Sequence, residues 1–317
     1  MDRGFIGWSR CLRLAHRPIL LLSSTTIHSR ICCRVGTESE TCRAGWIVRV
    51  ASRQPERPAL GADRHLETVV ADLRDEGQVR AAVAGTEAVV NLVGIGRERG
   101  QSFEEVHFEG AARIARLAAA AGVGLFLHVS ALGIAEDAPS AADRTKARGE
   151  EAVRAAFPTA TIVRPSLVYG PGDHFFTRFA ALARSSPVVP VIGGGHTLFQ
   201  PMHVADAAQT LQIVLERSAT AGLTLALVGP ETVTFRELLE RMLEAMGLWR
   251  AIVSVPFPVA GMLAAATGWL PMAPLTPEEV RLLRTDKVAG ELPTPAALGI
   301  AARPLSEGLP TTLGVMR

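Results

Sequence analysis

The sequence predicts an α/β protein: a doubly wound parallel sheet with a smaller C-terminal lobe. Three observations predict it. From residue 44 onward, short β-rich runs alternate with longer helical stretches. The runs are apolar throughout instead of alternating, as strands are when helices cover both faces of a sheet. Beyond Pro165 the rhythm breaks into Gly- and Pro-rich loops between fewer helices, which marks a separate lobe.

Taken in order, residues 47–51 (IVRVA) read as a strand and 68–71 (TVVA) as the next, followed by a helix over 76–84. Residues 88–93 (AVVNLV) are a strand, 103–121 a long Ala-rich helix, and 125–130 (LFLHVS) a strand. A helix over 146–156 and a strand over 161–164 (TIVR) complete the alternation, which is that of a Rossmann-type sheet. In the second half, Gly170-Pro171-Gly172 and Gly193-Gly194-Gly195 are loop signals, and helices are expected over 203–217 and 235–246. Thr276-Pro277-Glu278-Glu279 offers an N-cap, a proline at N1 and acids in the first turn of a further helix. The expected organisation is an atypical segment over 1–43, a nucleotide-binding domain over 44–165, and a mixed substrate-side lobe over 166–317 that shares its core.

Composition narrows the function classes. The 317 residues are 48% hydrophobic and 20% charged, with a net charge of +2, unlike a disordered chain or a strong nucleic-acid binder. All four cysteines (Cys11, Cys32, Cys33, Cys42) lie in the first 42 residues, so the body reads as built for a reducing compartment. No Cys-x-x-Cys or His/Cys cluster suggests a metal, and His107 and His128 read as structural. Residues 3–36 hold six arginines and no acid. That is the composition of a transit peptide, and equally of a shifted reading frame or a disrupted first βα unit. The apolar run 18–22 is too short for a membrane span or a signal-peptide core.

Candidate site residues stand at strand ends. Ser52 and Arg53 follow the second strand of the expected fold, where an acid selects NAD and an arginine accommodates the 2′-phosphate of NADP. No acid appears before Glu56, so NADP(H) is favoured over NAD(H). Asp72 and Leu73 end the next strand, where an aspartate is placed for the adenine amino group; a plain turn residue is the competing reading. Asn91, Leu92, Val93 and Gly94 close the following strand, and glycine there lets backbone pass close to a cofactor. Ser130 ends LFLHVS, where it would orient a substrate carbonyl or serve as a turn residue.

These stretches resemble the extended and atypical short-chain dehydrogenase/reductases. They are most similar to the subgroup of the nucleotide-binding accessory subunit of respiratory complex I and its bacterial relatives. VRVASRQPE, VVADLRD, VVNLVGIG, LHVSALGI, RTKARGEEAVRAAFPTATIVRPSLVYGPGD and FQPMHVADAA carry the likeness, in order, over about residues 44–215. The resemblance implies NADPH as a ligand. It also implies Lys146 and Pro165 beside it, and Ser130 with Lys146 as the remnant of a catalytic set. Complex I or another membrane-bound quinone-linked assembly is implied as the partner. Tyr169, on the loop after a central strand at the usual ligand side of such sheets, reads equally as lining the substrate cleft or as packing in the core. His203 and Asp206 fall in a helix-start motif that the family shares.

Two departures matter. The superfamily's Tyr-x-x-x-Lys pair needs a tyrosine four residues before Lys146, and Ala142 stands there. A phenol titrates near 10 and serves as acid/base only beside a cation. Tyr169, the chain's one tyrosine, is followed four residues on by Asp173, so no such pair exists. The Gly-x-x-Gly-x-x-Gly of the first βα turn is also missing. Gly4-Phe5-Ile6-Gly7 imitates its end, but 38 residues before Gly45. The expected function is therefore a nucleotide-binding, catalytically inactive subunit with a structural or assembly role. An active reductase or epimerase/dehydratase with another proton donor, and a nucleotide-free scaffold, stay open beside it. Residues 253–275 carry no charge, and prolines cut them too short to span a bilayer. A membrane or partner surface, or a buried helix, is expected there. The setting expected is the bacterial cytoplasm at the inner membrane, or else the matrix side of the mitochondrial inner membrane.

Overall fold

The computed structural model describes residues 19–22, 47–53, 66–267 and 275–314. The chain folds as two compact units interleaved in sequence. The first runs to Ser130 and takes in Arg148–Val163 and Ala208–Leu223. The second comprises Ala131–Ala147, Arg164–Ala207 and Thr224–Arg317.

The first half of the chain supplies β1 (Ile19–Leu22), β2 (Val48–Ser52), β3 (Leu66–Val70) and β4 (Ala88–Asn91), then β5 (Leu125–Val129) and β6 (Thr161–Pro165). Helices α1 (Glu76–Val83), α2 (Ala111–Ala120) and α3 (Ala141–Ala156) lie between them. Strand β1 pairs in parallel with both β2 and β4; β2 with β3, β4 with β5, and β5 with β6 are parallel as well. The register sets Leu22 level with Ala51 and Asn91, and Asn91 level with His128, which aligns the carboxyl ends of the strands. A core of Leu20, Leu22, Val89, Ile114, Phe126 and Ile162 fills the first unit.

Strand β1 supplies a first strand inside the segment read as atypical; the residues that follow it, 23–46, lie outside the described residues. Residues 19–22, too short to read as more than an apolar run, occupy the centre of the sheet, and none is more than 5% exposed. Burying each such leucine is worth about 1.5–3 kcal/mol, and that packing, not local periodicity, selects the strand. The Gly4–Gly7 imitation lies outside the described residues.

Two helices also depart from expectation. The helix expected over 103–121 begins with a π-helical turn, Glu104–Gly110, before α2. A side chain at Gly110 would press within 3.0 Å of the Glu105 carbonyl and 3.1 Å of Leu73. Helix α3 starts at Ala141 and not near 146, because a distant carboxylate caps it: Glu278 Oε1 accepts from the Ser140 hydroxyl (2.7 Å) and the Ala142 amide (2.8 Å).

The second half adds β7 (Val168–Tyr169), α4 (Phe175–Ser185), β8 (Val188–Ile192), β9 (Leu198–Phe199), β10 (Met202–His203) and α5 (Val204–Glu216). Then follow β11 (Thr224–Leu227), β12 (Val233–Thr234), α6 (Phe235–Ala245), β13 (Ala251–Val255), α7 (Phe257–Thr267), α8 (Pro277–Leu282) and α9 (Leu305–Leu313). The sheet has seven strands in the order β11-β6-β5-β4-β1-β2-β3, which is the doubly wound order. The expected caps of α8 are present: Thr276 and Glu279 form a capping box with Pro277 at the start. Within the second unit β8 pairs with β13 in parallel, and a core of Tyr169, Phe176, Phe235, Leu238 and Met242 packs beneath them. The apolar segment 253–275 is the end of β13, then α7; residues 268–274 lie outside the described residues.

Candidate dinucleotide site

In open α/β sheets ligands bind beyond the carboxyl ends of the strands, and the first unit has a cleft there. It is open, of about 350 Å³ with its solvent mouth included, and its walls include Leu22, Arg53, Asp72, Val93 and Val106. The cleft gathers the ends of β1, β2 and β3 with the loop after β4, so Arg53, Asp72, Leu73 and Val93 line one space. Ser52 stands beside them, half-buried.

Asp72 is not free in this arrangement. The Arg74 guanidinium grips its carboxylate at 2.7 Å and 3.0 Å, and the Arg74 amide donates to it at 2.9 Å. These bonds hold the Asp72 carboxyl below the usual carboxylate range, with Arg53 adding a weaker pull. An adenine amino group would have to share an already occupied acceptor. Leu73 is buried, and its carbonyl accepts from Arg113.

After β4 the backbone is held by side chains. Asn91 is buried; its Oδ1 accepts from the Val93 amide at 3.1 Å, and its amide nitrogen lies 3.1 Å from His128 Nδ1. The Leu92 amide bonds to the Leu22 carbonyl. Gly94 leaves room for a side chain: an added Cβ would meet only His107 Nε2, at 3.9 Å. Ser130, the last residue of the first unit, is 5% exposed, and its hydroxyl has no hydrogen-bond partner among the described residues. A buried orphan hydroxyl asks for an explanation, and an absent ligand group is one.

Lys146, Ala142 and Pro165 belong to the second unit. Lys146 is half-buried on α3, and Ala142 is 4% exposed, so no side chain at 142 offers a proton. The carboxylate beside it is committed elsewhere: Lys287 Nζ lies 2.9 Å from Asp143 in a buried ion pair. Pro165, half-buried, ends β6, and its carbonyl accepts from the Leu132 amide. Glu278 and Lys287 were not legible as partners of this helix, since they stand over 130 residues away.

Of the two readings of Tyr169, cleft lining and packing, the second describes its place: it is a core residue of the second unit at 1% exposure. It packs edge-on to Phe176 (5.7 Å) and His203 (5.4 Å), and Gly308 leaves room for its ring. Burial without a partner for the hydroxyl, aided by the charge of Asp206, pushes its ionisation well above the ordinary phenol value. His203 Nδ1 accepts from the Ala205 amide, and Asp206 is clamped by Arg303 at 2.8–3.1 Å. Asp173 caps α4 through the Phe176 amide, and burial pushes its carboxyl up. Among the described residues no group of three His, Cys, Asp or Glu is placed to hold a metal ion.

The lining suits the adenosine end of a dinucleotide: Arg53 brings a cation to strand ends that meet at one level, with Asp72 already paired to Arg74. The pyrophosphate end lacks its usual signal. Leu22 is followed by Ser23-Ser24-Thr25-Thr26, and the first glycine after β1 is Gly36. Those residues lie outside the described ones.

Comparison with known proteins agrees with this geometry. The sequence profile of the NAD dependent epimerase/dehydratase family matches residues 39–224. The chain is 36% identical over 197 residues to NADH dehydrogenase [ubiquinone] 1 alpha subcomplex subunit 9, mitochondrial, of Arabidopsis thaliana, covering 61% of this chain and 49% of that protein. It is 32% identical over 280 residues to a ceramide reductase of Caulobacter vibrioides, covering 86% and 84%. The chain thus spans about half the length of the first curated relatives it matches. Among solved structures, DesIV (dTDP-glucose 4,6-dehydratase) from Streptomyces venezuelae, with NAD and TYD bound, superposes with a TM-score of 0.72 at 20% identity, over 94% of this chain and 96% of that one. At that identity the likeness speaks for the fold. With sheet order, strand-end cleft and sequence profile in agreement, the chain belongs to the NAD dependent epimerase/dehydratase family.

Proposed function

We infer that this chain binds a nicotinamide dinucleotide, NADPH in preference to NADH, and does not turn it over. We assign it a structural role as an accessory subunit of a respiratory NADH:quinone oxidoreductase, or of another quinone-linked membrane assembly. The observation that carries this reading is the buried Ala142 four residues before Lys146, with Arg53 facing the cleft. Ser52, Arg53, Asp72, Leu73 and the 91–94 loop would hold the adenosine half. Lys146 and Pro165 would hold the nicotinamide half. The dinucleotide supplies a hydride where its family is active. Here the residue that would hold the matching proton is missing, and losing a general acid costs about 10²–10⁴-fold in rate. Ser130 retains a buried hydroxyl able to bond a ligand carbonyl.

The relatives named as complex I subunits support the assembly role. The second unit supports a partner or membrane contact near 253–275: Trp249, Val253, Val259, Met262 and Leu263 are exposed. No helix among the described residues is long and apolar enough to cross a membrane. The position proposed is peripheral, at the cytoplasmic face of a bacterial inner membrane or the matrix face of its mitochondrial counterpart. A second reading, an active reductase with another proton donor, is favoured by the ceramide reductase match over most of the chain.

Denaturing the purified protein and identifying released nucleotide by mass spectrometry tests the first reading. Stoichiometric NADPH, with no oxidation of added NADPH by quinones or simple carbonyls, is expected. Robust turnover would establish the reductase instead. No nucleotide, and no uptake of added NADPH, would leave a scaffold.

A further inference from the structure

One wall of the cleft is a short loop, and a buried histidine is hydrogen-bonded to it. Val93 and Val106 both line the cleft, Val93 from the loop after β4 and Val106 from the π-helical turn Glu104–Gly110. Two buried side chains tie down the loop's amides. Asn91 Oδ1 takes the Val93 N–H, and His107 Nε2 takes the Ile95 N–H at 3.0 Å. Gly94 lies between the two tied amides.

His107 is held for this task from several directions. The π-helical turn widens the helix by one residue per turn, which changes the aim of each side chain it carries; such turns recur at functional sites. Phe103 stacks on the imidazole at 5.4 Å and 26°. Helix α3 closes on the turn at Gly149, where a Cβ would lie 2.0 Å from the His107 carbonyl oxygen. A ring nitrogen that accepts from an amide carries no proton itself, so the imidazole is neutral with its hydrogen on Nδ1. Its exposure is 4%.

We propose that His107 is the positioning residue of the dinucleotide cleft: it sets the backbone of residues 93–95 at the height a bound dinucleotide requires, without touching the ligand. This rests on reading the cleft as a dinucleotide site. The tie itself is a separate claim, and the test separates the two.

The test uses the full chain, with His107→Leu and His107→Gln as variants. It measures exchange of the Ile95 amide by NMR and NADPH affinity by titration. Leucine removes the acceptor, while the glutamine carbonyl restores one. His107→Leu should speed Ile95 exchange and weaken NADPH by about tenfold, the effect of orphaning one part-buried amide. His107→Gln should recover most of both. Unchanged Ile95 exchange in His107→Leu overturns the tie. Faster exchange with unchanged NADPH affinity overturns the positioning role. A wild-type chain that takes up no NADPH, yet shows His107-dependent protection of Ile95, sinks the dinucleotide reading and upholds the tie. Should His107→Leu not fold, wild-type exchange decides: an Ile95 amide as fast as an unprotected one overturns the proposal.

Discussion

At the residue scale, the chain's chemistry turns on a few charged and buried groups. Arg53 is exposed at the cleft, and the acid that shares the cleft with it, Asp72, is gripped by Arg74. Arg53→Ala should weaken NADPH by about tenfold, since a hydrogen bond to a charged group is worth about 1.5–3 kcal/mol, and leave NADH nearly unchanged. Parallel titrations of the two dinucleotides check this; equal losses remove Arg53 from the 2′-phosphate site. Tyr169 permits an unusually clean measurement because it is the only tyrosine. Burial raises its ionisation, so the folded chain resists forming tyrosinate, and the stability tied to the neutral phenol is lost only as pH rises past the unfolded value near 10. Ultraviolet titration should stay flat through pH 10 and rise with unfolding. An ordinary titration curve in the folded chain would place the ring at the surface. Residue types at strand ends were legible because a doubly wound sheet brings those ends together. The grip of Arg74 on Asp72 and the burial of Tyr169 were not, because both depend on what packs around them.

At the element scale, caps and small residues set helix starts and approaches. The box at Thr276 could be read from four consecutive residues, since capping is local. The start of α3 could not, since its cap comes from Glu278. The π-helical turn before α2 was hidden for a similar reason: Ala-rich periodicity looks the same whether or not one turn is widened. Gly149 in α3 is the sharpest packing constraint of the first unit. Alanine is the better helix former by about 1 kcal/mol, so local propensity alone predicts that Gly149→Ala stabilises. The clash with the His107 carbonyl predicts the reverse, a loss of about 1–3 kcal/mol. Urea unfolding midpoints decide between them, and a stabilised variant would mean that the two helices do not meet there.

At the scale of the whole molecule, the order of the sheet explains how much was legible. Long strand–helix alternation identified the fold from residue 44 onward, and the family profile spans nearly the same stretch. Of the sheet's strands, β1 and β11 were not read from the sequence; β1 lacks its usual glycine-rich neighbour, although its four apolar residues were in plain view. Strand β1 is also the strand that two others need. It stands between β2 and β4, and neither of those has another partner on that side. A chain whose synthesis began beyond residue 22 would lack the middle of its sheet and present two long-buried apolar edges, VRVAS and AVVN, to any chain nearby. Unpaired edges of that kind template assembly between molecules. The choice of start codon would then decide between a dissolved protein and a precipitate.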